Sequence, residues 1–103
     1  MIKTQFESIS KWQKETFGEA TALSKVEHLH QEVIELHDDL VAESEGIKME
    51  FADCFILLFG AAASHGMSYE DICNCIDEKM KINKLRKWGK PDDNGVINHL
   101  KNN

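Results

Sequence analysis

The segment from Met49 to Ala63 most constrains how this chain can fold, because it is apolar around the whole circumference of a helix. Only Glu50 and Asp53 interrupt it with charge. Its longest uninterrupted apolar run, Cys54 to Ala63, is about half as long as a membrane-spanning helix requires. We therefore predict a buried helix at the centre of a helical domain, and no membrane association.

Length and composition predict one all-α domain over residues 1–103. Proline occurs once, and the alternation of apolar and polar residues that is typical of strands is hard to find. Helical periodicity and its breaks predict four to five helices, four of which have readable limits: about Thr4 to Phe17, Ala22 to Val41, Ile47 to Ser64, and a fourth that opens at the capping box Ser68/Asp71 and ends before Pro91.

Charge and termini narrow the possible partners. A net charge of −6 disfavours binding to nucleic acid, because the phosphate backbone would be repelled. The first residues, from Met1 to Phe6, lack the apolar core of a signal peptide, so we expect a cytoplasmic protein. The three cysteines favour neither a disulfide framework nor a zinc site.

The second predicted helix has an acidic stripe. One stripe of apolar residues is expected to face the core: Val26, Leu29, Val33, Leu36 and Leu40. Beside it, at the same helical period, lies a polar stripe: His28, Glu32, Glu35 and Asp39. Such a stripe is usually a solvated helix face, and a metal-binding role is the alternative.

Glu50 and Asp53 are harder to explain as surface residues, because the helix around them is apolar. Ionised carboxylates in such surroundings cost several kcal/mol unless they are paired or bind a metal. Glu32 and Glu35 have the same spacing of three residues, so two antiparallel helices could bring all four carboxylates to one place. Oxygen ligands of this kind favour Mg²⁺.

Other polar positions leave two readings open. On the fourth helix, Lys79, Asn83 and Arg86 could bind phosphate or a base, or they could complement the helix dipole. Trp12 lies off the apolar stripe of the first helix and could pack at its edge or form a wall for a flat ligand. After Trp88 the chain reaches Pro91, followed by a predicted turn.

Taken together, these motifs resemble the all-α nucleoside triphosphate pyrophosphohydrolases of the MazG-like superfamily, and more closely the dATP/dGTP diphosphohydrolase branch. The resembling stretches span nearly the whole chain: Trp12-x-x-x-Thr16-Phe17-Gly18, His28-Leu29-x-x-Glu32-Val33-x-Glu35-Leu36, Glu50-Phe51-Ala52-Asp53, Lys79-x-x-x-Asn83-x-x-Arg86-x-Trp88-Gly89-Lys90-Pro91, and Asn94-Gly95-Val96 with His99. One departure is Gln31, where the superfamily often has a second glutamate before Glu32.

The resemblance implies a fold, a reaction and a set of residues. It implies a MazG-like bundle completed by oligomerisation, as a homodimer or homotetramer, and hydrolysis of a (deoxy)nucleoside triphosphate to the monophosphate and pyrophosphate. The alternative is a helical dimer module that binds metal, nucleotide or a partner without catalysis. The implied cofactor is Mg²⁺, with Mn²⁺ as a possible substitute.

The resemblance implies a role for individual residues of this chain, position by position. The implied metal ligands and catalytic residues are Glu32, Glu35, Glu50 and Asp53. The implied substrate-binding residues are Lys79, Asn83 and Arg86 for phosphate or sugar, with Trp12 and Trp88 as candidates for stacking on the base.

Overall fold

The computed structural model describes residues 1–101. These form four helices in chain order: α1 (Lys3–Phe17), α2 (Ala22–Val41), α3 (Ile47–Ser64) and α4 (Tyr69–Leu85). The predicted all-α class and the limits of α2 and α3 are confirmed. The chain forms two compact units, Met1–Ile72 and Cys73–Asn103.

α1 begins one residue before the predicted start. Its N-cap is Ile2, whose side chain makes no capping hydrogen bond. Thr4 therefore lies inside the first turn. The helix ends at Gly18, which has a φ of 58° and whose N–H donates to the Lys14 carbonyl. A positive φ favours glycine, so this end of the helix was readable from the sequence.

The face of α2 that is buried inside the first unit differs from the face that the apolar stripe predicts. Its N-cap is Thr21, whose side chain accepts a hydrogen bond from the Ser24 backbone N–H. Three of the five predicted core positions are about half exposed: Val26, Val33 and Leu40. The buried and half-buried positions form a stripe that is shifted by one residue, and it includes three charged side chains: Lys25, Leu29, Glu32, Leu36 and Asp39.

α3 is the central helix of the first unit, as its apolar composition predicts. It has its most extensive contact with α2 and a smaller one with α1. Gln13 of α1 is fully buried and donates a 2.7 Å hydrogen bond from its amide to the Ile56 carbonyl. Leu57 and Ala61 are buried, but Phe55 is 56% exposed, so residues 1–101 leave part of α3 uncovered.

The capping box that opens α4 is present. The Ser68 N–H donates to Asp71 Oδ2 (2.9 Å), and the Asp71 N–H donates to Ser68 Oγ (3.1 Å). Further along the helix, Ile72 is buried while Ile76 is 53% exposed.

In the second unit, α4 ends at Leu85, whereas Pro91 alone would have let the helix continue further. The chain after it folds back on itself: Leu100 donates from its backbone N–H to the Lys87 carbonyl, and Gly89 donates to the Asn98 carbonyl. An antiparallel bridge pairs Trp88 with His99, and their rings meet edge to face. This pairing removes residues 87–89 from helical hydrogen bonding, which explains the early end.

The predicted turn after Pro91 is present. Asp92 Oδ1 accepts hydrogen bonds of 2.9 Å from the backbone N–H groups of Asn94 and Val96. Gly95 has a positive φ of 78°. The Asp92 N–H also donates to the Val96 carbonyl and the Gly95 N–H to the Asp92 carbonyl, so the segment is a defined turn held by the side chain and the backbone of Asp92.

None of the helices in residues 1–101 combines the length and apolarity needed to cross a membrane.

Candidate active site

A cluster of carboxylates lies where α2 packs on α3. Its most perturbed member is Glu50 in the first turn of α3. A hydrogen bond with Asp39 raises the pKa of Glu50 to about 7, and burial and the charges of Asp39, Glu35 and Glu32 act in the same direction. The two helices therefore bring three of the four predicted ligands within electrostatic reach of one another.

One oxygen of Glu50 is an orphan within this cluster, meaning that it has no hydrogen-bond partner. Its Oε2 atom is buried and accepts no hydrogen bond, although the residue as a whole is half-buried. Buried carboxylate oxygens are normally satisfied by a donor or a cation. This atom is therefore a position where a cation would remove an existing energetic cost.

Glu35 is perturbed by its neighbour on the same helix. The charge of Glu32 and a side-chain hydrogen bond with it raise the pKa of Glu35, with smaller contributions from burial and from Asp39, while His28 acts in the opposite direction. The E-x-x-E spacing thus places two like charges side by side, as helical geometry requires. Such a pair is stabilised by any positive charge placed between its members.

Asp53, one turn after Glu50 on α3, is exposed. It faces the same space as Glu32, because both line one cavity. Burial raises the pKa of the neighbouring Cys54 thiol, and the charges of Glu32, Asp53 and Glu50 add to that effect. All four predicted carboxylates are therefore grouped on one side of the α2–α3 pair.

Asp39 belongs to this cluster as well, although the resemblance did not mark it as a ligand. Its hydrogen bond with Glu50 is the largest influence on that residue. The available signal was its place on the acidic stripe, four residues after Glu35. The periodicity identified the stripe, but only the packing of α3 shows that Asp39 meets Glu50.

The oxygen chemistry of the cluster fits a hard divalent cation, but its geometry is not preformed. In residues 1–101, no three His, Cys, Asp or Glu side chains converge closely enough to hold a metal ion. Like charges repel, and carboxylates without a cation between them spread apart. The orphan oxygen of Glu50 and the raised pKa values show the cost of that arrangement, which a cation would relieve.

An aromatic cavity opens next to Glu32 and Asp53. It has a volume of about 250 Å³, and the apolar side chains of α3 complete its lining. Phe17 stands edge to face against both Trp12 and His28, with ring centroids 5.5 and 6.4 Å apart. A cavity with these walls can take a flat or apolar group of a ligand whose anionic part lies at the carboxylates.

Phe17 and His28 were not among the predicted site residues. His28 Nε2 lies 3.5 Å from Glu32 Oε1, one helical turn away. Both residues occur in the stretches that resemble the MazG-like pattern, so the motif contained them without indicating a role. Trp12 is 51% exposed and packs on Phe17 at the edge of α1, where it also walls the cavity.

The remaining predicted residues lie in the second unit. Lys79 and Asn83 are one turn apart on α4, whereas Arg86 follows the last helical residue, and its N–H donates to the carbonyls of Ile82 and Asn83. The hydrogen bond to Ile82 spans four residues, as in an α-helix, and the role of Arg86 stays a prediction. The Trp88 indole N–H donates a 3.0 Å hydrogen bond to the Asn83 carbonyl, which fixes the ring beside the end of the helix.

Comparison with known proteins gives a family match over nearly the whole chain. The model of the dATP/dGTP pyrophosphohydrolase family matches residues 5–103. The match includes α1 from its third residue, all of α2 to α4 and the folded-back segment, and therefore every residue of the candidate site.

A solved structure has the same fold. It is a MazG-like pyrophosphohydrolase of cyanophage S-2L, bound to dGDP and to three catalytic Mn²⁺ ions per active site. The TM-score is 0.77 at 25% sequence identity, and the alignment covers 98% of this chain and 99% of that chain.

A curated relative matches a shorter stretch. The Eaa protein of Salmonella phage P22 is 40% identical over 53 residues, which is 52% of this chain. The match spans only 17% of that longer relative.

Proposed function

Since the chain belongs to the dATP/dGTP pyrophosphohydrolase family, we propose that it hydrolyses deoxynucleoside triphosphates to the monophosphate and pyrophosphate in a divalent-metal-dependent reaction. The observation that supports this most directly is the buried, unpartnered oxygen of Glu50 within a group of carboxylates. The cyanophage neighbour, which binds dGDP and Mn²⁺, supports the same chemistry. The role we assign is housekeeping of the nucleotide pool.

The proposed metal ligands are Glu32, Glu35, Glu50 and Asp53. Mg²⁺ or Mn²⁺ held there would neutralise charge on the triphosphate and lower the pKa of a bound water. Grouping these carboxylates without a cation costs free energy, so the cluster favours binding of a cation.

Within this set, Glu35 is the residue to which we assign acceptance of the proton from the attacking water. Its carboxylate lies beside Glu32, whose charge raises the pKa of Glu35 in the protein without metal, and a carboxylate at the metal site can accept a proton from a bound water. Glu35 is also exposed, so a water molecule can reach it.

Two sets of residues are proposed for the substrate, each described within its own unit. The N–H groups of Lys79, Asn83 and Arg86 can donate hydrogen bonds to phosphate and sugar oxygens. The Arg86 guanidinium can bind a phosphate through two parallel hydrogen bonds. Trp12 is proposed as a base-stacking wall because it lines the aromatic cavity beside the carboxylates. Trp88 stays a second candidate for stacking.

We also propose a homodimer or homotetramer, supported by the apolar surface of the first unit. Phe55 is 56% exposed and Leu58 49% exposed on α3, and Val33 is 45% exposed on α2. An apolar cavity of about 430 Å³ lies beside Phe55 and Phe59. Apolar surface of this extent is typical of an interface between subunits.

The direct test is pyrophosphate release from a panel of dNTPs and NTPs in the presence of Mg²⁺. We expect turnover of at least one deoxynucleotide by the wild type and a loss on the order of a hundredfold in Glu50→Gln and Asp53→Asn, because each removes a charged ligand. Glu45→Gln, in the exposed turn between α2 and α3, is the matched control and should keep full activity.

The outcome also separates catalysis from binding. A wild type that binds nucleotides but releases pyrophosphate from none of them would support the non-catalytic module instead of the hydrolase. Replacing Mg²⁺ with EDTA should abolish activity, and Mn²⁺ should restore it.

A further inference from the structure

Lys25, in the first turn of α2, is a buried lysine with an incomplete set of partners. Only 7% of the residue is exposed. Its ammonium donates one hydrogen bond, of 2.7 Å, to Ser64 Oγ at the end of α3. A lysine ammonium has three N–H donors, so a single hydroxyl leaves most of its capacity unused.

No counter-charge accompanies this lysine. Within residues 1–101, no carboxylate oxygen lies within the 4.0 Å ion-pair distance of Lys25 Nζ. Among residues 1–101, Ser64 Oγ is the one hydrogen-bond acceptor of Lys25 Nζ, so the last carbonyls of α3 do not bond to the ammonium. A buried charge is normally paired, so this arrangement indicates a missing anion.

A cavity of about 400 Å³ lies beside Lys25, between α1, the α1–α2 turn and α3. Lys14 adds a second cationic side chain, and the hydroxyls of Ser10 and Ser64 add neutral hydrogen-bonding groups. Glu19 is the acidic residue among those that line it. The cavity therefore has an excess of positive charge in a chain whose net charge is −6.

Small residues line part of this cavity, and the cavity is separate from the carboxylate cluster. Gly60 and Ala63 of α3 and Ala20 of the turn line it, which leaves room for a group larger than water. Glu32 and Asp53 line a different cavity. A ligand here would not compete with the proposed metal ions for side chains.

We propose that this cavity is a second binding site, specific for an oxyanion of the phosphate class. Such an oxyanion has enough acceptors for the ammonium of Lys25, the rim ammonium of Lys14 and the two serine hydroxyls at once. Its charge supplies the counter-ion that Lys25 lacks. The ligand is either free phosphate or pyrophosphate, or the phosphate group of a nucleoside monophosphate.

The site can be tested apart from catalysis by measuring binding in EDTA, where the carboxylate cluster repels anions. Isothermal titration of the full chain with phosphate, pyrophosphate and dGMP, at constant ionic strength set with chloride, should show saturable binding of at least one. Tight binding of dGMP with weak binding of the inorganic ions identifies a nucleotide ligand; the reverse identifies an inorganic one.

Variants assign the binding to this cavity. Lys25→Met should weaken binding at least tenfold, and Lys25→Arg should retain part of it. Lys11→Met is the matched control, because Lys11 is an exposed α1 lysine, and it should bind as the wild type does. Glu50→Gln should also bind normally, although it lies in the proposed metal site.

Ala20→Leu gives a second, steric test that leaves every charge in place. It narrows the cavity from the α1–α2 turn and should also weaken binding at least tenfold, so the test does not depend on the folding of Lys25→Met. The proposal is overturned if the wild type binds none of the three anions in EDTA, or if Ala20→Leu binds as tightly as the wild type.

Discussion

Glu50 shows how a single residue connects a helix position with chemistry. Its place in an apolar helix predicted a functional carboxylate, and its side chain meets Asp39 of the facing helix with one oxygen left without a partner. The arrangement is costly in the absence of a cation. Residues kept at such a cost are typical of functional sites.

The raised pKa of Glu50 has a consequence for stability without metal. In the folded protein Glu50 keeps its proton up to a pH of about 7, whereas in the unfolded chain it titrates near its ordinary value of 4.5. The folded state therefore binds more protons between these values. The contribution of Glu50 to stability is present in full below 4.5 and is lost as the pH rises through about 7.

We therefore expect the melting temperature of the protein in EDTA to fall between about pH 5 and about pH 8 more steeply for the wild type than for Glu50→Gln. The glutamine amide donates to Asp39 at every pH, which removes the titration but keeps the hydrogen bond. Differential scanning fluorimetry at matched ionic strength measures the difference, with Glu45→Gln as the control. Parallel curves for wild type and Glu50→Gln would contradict the assignment.

At the scale of elements, the contact of α1 with α3 depends on the absence of a side chain. A Cβ atom at Gly60 would overlap the side chain of Gln13, which is fully buried against α3 and bonded to the Ile56 carbonyl. Gly60 is thus required by the close approach of a polar side chain and not by its backbone conformation.

Gly60→Ala should destabilise the protein by about 1–3 kcal/mol, because the added methyl overpacks the contact and displaces the Gln13 amide. Urea unfolding measures the change. The double variant Gln13→Ala/Gly60→Ala, compared with Gln13→Ala alone, serves as the control, since the methyl then has space. An equal loss from Gly60→Ala with and without Gln13 would show that helix packing at this point does not involve the glutamine.

At the scale of the whole molecule, the exposed apolar surface of α2 and α3 predicts association of copies. We expect the wild type to elute with the mass of two or four chains of 11.8 kDa. Phe55→Glu should shift the mass toward one chain, because a charge at a subunit interface is costly to bury.

Light scattering coupled to size exclusion checks this, with Lys48→Glu, an exposed substitution near the start of α3, as the control. A wild type that stays a single chain at all concentrations would remove the support for an oligomer.

The order of the four helices, the limits of α2 and α3, and the capping box of α4 were all predictable from the sequence. Each depends on local information: a helical period, a glycine at a positive φ, or a serine and an aspartate three residues apart. The E-x-x-E and E-x-x-D motifs are local in the same sense, and with the rest of the motif set they led to the family, which the match over residues 5–103 confirms.

Other features depend on which helix faces which, and only the tertiary structure decided them. The buried face of α2 includes Lys25, Glu32 and Asp39 instead of the predicted Val26 and Val33, since α3 approaches from that side. α4 ends at Leu85 because distant residues pair with the chain just after it. Periodicity gives the spacing of a stripe but not the direction in which it faces, because that direction is set by partners far away in the sequence.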